Sequence, residues 1–130
     1  MSTVREPRLP GPDHAIEVAP YNGRVTVTSN GRKIADTTAA LELREAAYAP
    51  VHYVPLADVD QGALRPSDTI THCPYKGDAS HYDVVDPATQ DSVKDAVWHY
   101  REPYPFVAEI ADHVAFYPSR VDIDAQPASD

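Results

Sequence analysis

The densest group of chemically capable side chains is the run Thr71-His72-Cys73-Pro74-Tyr75-Lys76-Gly77, which holds the only cysteine of the chain. A thiol beside a cation and free turn amides has its thiolate stabilised, and a thiolate is a nucleophile. Cys73, with Lys76 three residues on, is therefore a candidate catalytic nucleophile. Successive residues on a strand point to opposite faces, so His72 and Cys73 do not share one. His81, on the strand beyond the Gly77 turn, is the better candidate base if the turn makes the two strands neighbours. The competing reading makes Cys73 a small buried apolar residue at a strand end and His81 an exposed polar residue on a half-solvated sheet.

Lys76-Gly77-Asp78 at a tight turn presents an ammonium and backbone amides to an anionic group, in the manner of small backbone nests. On this reading Lys76 is exposed, and its removal shifts stability by no more than about 0.5 kcal/mol. Glu45, Tyr53, Tyr75 and Trp98 join Lys76 as candidate ligand-binding residues: one carboxylate and several rings suit an apolar pocket with a few oriented polar groups. The competing role of the rings is core packing. Arg44 and Arg120 are expected in structural ion pairs. No metal site and no cofactor are expected, because a single cysteine builds no Cys₄ set and His52, His72, His81, His99 and His113 lack a compact ligand spacing.

These groups must be positioned within 130 residues, the usual size of one domain. Composition places that domain at residues 13–123. Residues 1–12 read as a disordered tail and 124–130 as a flexible one, since neither offers an apolar period. Twenty acidic residues against eleven Lys and Arg leave a net charge of −9. That charge disfavours nucleic acid and anionic membrane surfaces as partners, although one local cation still accommodates an anionic small molecule. No run approaches the roughly 20 apolar residues of a membrane helix, and the first residues lack the basic and apolar segments of a signal peptide. A cytoplasmic monomer or homodimer is the default expectation.

The positioning elements are short strands. Arg24 to Thr28 alternates polar and apolar residues, and Asn30-Gly31 before Lys33-Ile34-Ala35 marks a hairpin. Leu41 to Glu45 alternates with period two, and Val51 to Val54, between two prolines, reads as another strand. Thr69 to Cys73 and Ala79 to Val85 flank the Pro74–Gly77 turn. Val93 to Tyr100 and Val114 to Tyr117 follow, with one short helical turn at Phe106 to Ala111 between them. Thirteen prolines and strands spaced about ten residues apart indicate an all-β sandwich or barrel.

From about Asp13 to Asp122 the chain resembles family 427 of the domains of unknown function, sometimes labelled nucleotidyltransferase-like. The resemblance rests on the hairpin around Gly31 with Ile34-Ala35-Asp36, on Leu43-Arg44-Glu45 and Tyr53-Val54-Pro55, and on Cys73 to Ser80. Ala96-Val97-Trp98-His99-Tyr100 and Ala115 to Asp122 complete it. It implies a mostly β, β-tent-like fold, with two antiparallel sheets packed at a steep angle, and no established activity. Many β-tent proteins hold zinc with two Cys-x-x-Cys pairs. This chain, with Cys73 alone, departs from that pattern, so no structural zinc is expected. The nucleotidyltransferase label finds no Gly-Ser followed by paired aspartates, the residues that would hold two metals. Two functional readings remain: a small-molecule-binding or catalytic domain with its pocket around the Cys-Pro-Tyr-Lys-Gly turn, or a protein-interaction module using sheet edges or an aromatic patch.

Overall fold

The computed structural model describes residues 9–12 and 14–128. Strand β1 is Ile16–Pro20 and pairs with β4, Leu41–Glu45; between them in sequence lie β2, Gly23–Ser29, and β3, Arg32–Thr37. Asn30 and Gly31 both take positive φ, 50° and 79°. That is the backbone a two-residue hairpin turn needs to match the twist of its strands, and it joins β2 to β3 as the Asn-Gly signal predicts. After β5 (Val51–Pro55) come β6 (Leu64–Cys73), β7 (Gly77–Val85), β8 (Ser92–His99), β9 (His113–Phe116) and β10 (Asp122–Pro127).

The strands form two antiparallel sheets. One has the order β1-β4-β5-β9-β8-β7-β6 and the other the order β10-β2-β3. The only helical pieces among the described residues are 3₁₀ turns, the longest at Pro105–Ile110. The fold is mostly β, as expected.

The period of two sets the core. Val54 joins Val97, Val114 and Phe116 in a cluster that meets Val25, Val27 and Ile34 of the small sheet. Its neighbour Tyr53 faces the other way, into a second cluster with Leu43, Ala79, Tyr100 and Ala115, roofed by Val107 and Ile110 of the 3₁₀ segment. The large sheet is thus buried on both faces near its centre, and burial of each large apolar side chain contributes about 1.5–3 kcal/mol.

Two features depart from the sequence reading. Residues 124–127 are not tail. They continue β10, whose register pairs Ile123 with Val27 and Ala125 with Val25, and both side chains pack on the core. Residues 1–8, part of the other expected tail, and residues 129–130 lie outside the described chain. The second departure is β6, which begins at Leu64 rather than near Thr69, running through Pro66 with a register shift between Pro66 and Ile70. An edge strand tolerates this, because the donor that proline lacks faces no neighbour there.

The seam between the two halves of the large sheet is short. β5 and β9 pair only at Val54↔Val114 and Pro55↔His113, and β8 and β9 only at Val97↔Phe116 and Trp98↔Ala115. Val51 to Tyr53 therefore have no ladder partner on the β9 side.

Candidate functional site

Glu45 ends β4, and the β1–β4 register of Ile16 with Glu45 brings the segment just before β1 alongside it. His14 Nε2 consequently lies 2.7 Å from Glu45 Oε2. From the β6–β7 turn, Lys76 donates from Nζ to Glu45 Oε1 at 2.6 Å. The His14 ring stacks on Tyr75, 3.9 Å between centroids and 7° between planes. Burial raises the pKa of the Glu45 carboxyl, but the hydrogen bonds from Lys76 and His14 outweigh it and hold the net value below normal. Glu45, Tyr75 and Lys76 do come together, with His14, as a clasp closing the hairpin turn onto β1 and β4. Lys76 is only 7% exposed and its charge is spent on Glu45. The expectation of an exposed turn lysine open to an anionic ligand is overturned.

Tyr53 and Trp98 form a second group. The Trp98 indole N–H donates to the Tyr53 hydroxyl at 3.3 Å, with the rings edge to face, and Trp98 also packs on Tyr117 at 4.4 Å. Burial raises the pKa of the Tyr53 and Tyr100 phenols, so both stay protonated at neutral pH. Cys73 is half-buried and packs against this cluster.

The candidate Cys73–His81 pair does not form. The turn is tight, so Cys73 stands opposite Gly77 and only residues equidistant from the turn become neighbours. His81 lies four residues past Gly77, about 13 Å along the strand at ~3.3 Å per residue. It is buried instead between the Thr69 carbonyl, 3.2 Å from Nδ1, and the Tyr117 hydroxyl, 3.3 Å from Nε2. The residue that does meet a partner across the turn is His72, whose Nδ1 is 2.7 Å from Asp78 Oδ1. Arg44 pairs with Glu42 as expected. Arg120 makes no ion pair among the described residues. No group of three His, Cys, Asp or Glu side chains among them is placed to hold a metal ion.

A cavity of about 340 Å³ opens where β5 and β9 part. Its wall is apolar and joins both sheets: Val25 and Ala125 from the small one, Val51, His52 and Phe116 from the large one, with Trp98 among them. Of the expected ligand residues only Trp98 lines it. Sequence reading missed His52 as a wall residue, although it neighbours Tyr53 and so must face the opposite side of β5. His52 Nε2 is 3.3 Å from Glu42 Oε2, off the line of a hydrogen bond, and its ring meets Tyr21 edge-on.

A family model described as Domain of unknown function (DUF427) matches residues 17–126. The chain belongs to this family. The match begins within β1 and ends within β10, so the family unit includes the strand that closes the small sheet. Among curated proteins, none matches the chain. No helix among the described residues is long and apolar enough to cross a membrane.

His99 adds a pH-sensitive group to this family member. Its ring stacks on Tyr82 at 4.7 Å, and burial, followed by the charges of Arg101 and His81, lowers its pKa. The folded state therefore binds fewer protons than the unfolded one just below the ordinary histidine value of about 6.5. Stability should fall as pH drops below that value and level off below the folded pKa. His99→Phe should flatten this part of the profile in urea melts at stepped pH. An unchanged slope in the variant would assign the effect elsewhere.

Proposed function

We propose that this chain is a small-molecule-binding protein whose ligand seat is the apolar cavity at the split between β5 and β9. The observation that carries the reading is the cavity wall itself: about 340 Å³ bounded mainly by apolar atoms and one tryptophan. That volume lies within the range of small-molecule sites, about 300–1,000 Å³. It is also about twice the ~150 Å³ engineered cavity that admits benzene. A flat aromatic molecule of one or two rings would bury its faces against Trp98 and Phe116.

The aromatic network supports the same reading. Trp98 is held from one side by Tyr53 and from the other by Tyr117, so its ring is pre-oriented and a ligand need not immobilise it. The interaction-module alternative has less support, because Pro66 and the register shift beside it interrupt the exposed edge strand β6, a pattern that blunts edge-to-edge pairing. A catalytic role for Cys73 loses its proposed base, since His81 sits elsewhere.

Trp98 is the only tryptophan, so its emission reports on the cavity directly. Titration with naphthalene should shift or quench that emission and raise the melting temperature. Ala125→Leu, which fills the cavity from β10, should weaken binding about tenfold, equivalent to about 1.4 kcal/mol. Unchanged Trp98 emission at saturating naphthalene, or equal affinity in a folded Ala125→Leu protein, would overturn the proposal.

A further inference from the structure

A second hollow shares no lining residue with the cavity. It is an open groove of about 830 Å³ beside the β6–β7 hairpin. Its floor is one face of that hairpin: Ile70 stands opposite Ser80, and His72 opposite Asp78. Its wall is the loop after β8, from Arg101 to Tyr104.

The wall is held in place by the turn. The Tyr104 N–H donates to the Lys76 carbonyl at 3.0 Å. Gly77 turns the chain there at φ +114°, and a Cβ on it would reach only ordinary contact with the loop, 3.4 Å from the Glu102 carbonyl and 3.8 Å from the Tyr104 ring. Any other residue would be strained by that φ.

The lining carries groups of both signs and both hydrogen-bonding kinds. Arg101 makes no ion pair among the described residues. Glu102 and Asp78 bring carboxylates, and Ser80 and Tyr104 bring hydroxyls. His72 is oriented by Asp78 and meets the Tyr104 ring edge-on at 6.5 Å. An anionic ligand would face two carboxylates on a chain of net charge −9. An apolar ligand would strip water from the charged groups with nothing in return. A neutral polyhydroxylated ligand satisfies the whole set: its hydroxyls donate to the carboxylates and accept from the guanidinium, while its C–H faces cover Ile70 and the Tyr104 ring.

We propose that this groove binds a neutral saccharide, with Arg101, Glu102 and Asp78 reading its hydroxyls and Tyr104 supplying the stacking face. Its volume, about 830 Å³, admits a short run of linked sugar units. This site is independent of the apolar cavity, and either can fail without the other.

The test is an amide-resolved NMR titration of the whole protein with maltotriose, cellotriose and triacetylchitotriose. Concentrations should reach roughly 20 mM, well past a millimolar dissociation constant. At least one sugar should shift the amides of residues 70–72, 78–80 and 101–104. Arg101→Gln and Glu102→Gln should each weaken that binding about tenfold with the melting temperature unchanged. Absence of a shift with all three sugars overturns the proposal. So do shifts that both variants retain at wild-type affinity. If inorganic phosphate moves the same amides more strongly than any sugar, and Arg101→Gln abolishes this, the groove is an anion site and the saccharide assignment is wrong.

Discussion

Lys76→Ala should destabilise the protein by about 3 kcal/mol, the lower end of the ~3–5 kcal/mol typical of breaking a buried ion pair from one side. The cause is the partner left behind. Glu45 is largely buried and would keep only His14 to compensate its charge. The residual exposure of Glu45, 16% of its side chain, argues for the lower end. Glu45→Gln paired with Lys76→Met should recover much of the loss, because no uncompensated charge then remains buried. Urea melts of Glu45→Gln, Lys76→Met and the double variant close the cycle, with Lys76→Ala measured beside them. A loss below about 1 kcal/mol for Lys76→Ala would mean that the pair is solvated like a surface bridge. The pH dependence has a definite sign. The folded pKa of Glu45 is depressed, so the clasp contributes fully above the ordinary glutamate value of 4.5 and its contribution fades as pH falls through the folded pKa.

Ending the chain after Val121 should cost more, about 3–5 kcal/mol, and abolish binding in the cavity. β10 makes six register pairs with β2, and its Ile123 and Ala125 cover the core cluster of the small sheet. Without it that sheet is a two-stranded hairpin, an arrangement only marginally stable in water. The cavity would also lose the Ile123 and Ala125 part of its wall. Gly23→Ala probes the same strand by one atom: the added Cβ would stand 2.3 Å from the Gln126 carbonyl and 2.9 Å from Pro127 Cα, so β10 must shift away. Thermal melts of both proteins decide the matter. A truncated chain that melts within a degree or two of the full one would show that β10 contributes nothing beyond ordinary surface contacts, whose loss is within about 0.5 kcal/mol.

Much of the architecture could be read from local pattern. The Asn30-Gly31 turn, the alternation in Leu41 to Glu45 and the proline-flanked Val51 to Val54 each carry their cause within a few residues, and each appears as expected. β10 carried the same kind of signal, since Asp122-Ile123-Asp124-Ala125-Gln126 alternates with period two. Its polar composition outweighed that signal because the benefit of the strand lies wholly in its pairing with β2, nearly one hundred residues earlier in the chain.

The sequence by itself determined the strand faces, and hence that Tyr53 and Val54 serve different cores, that His72 and Cys73 separate, and that the chain is mostly β. Those outcomes follow from the period-two geometry of any extended backbone. Tertiary structure alone decided which faces meet and where the ladders stop. It turned Lys76 from a free cation into the buried partner of Glu45, set His81 against Tyr117 rather than Cys73, and parted β5 from β9 to form the cavity beside Trp98. Side-chain charge and hydrogen bonding act over a few ångströms, whereas the groups they join here lie 31 to 45 positions apart in the chain.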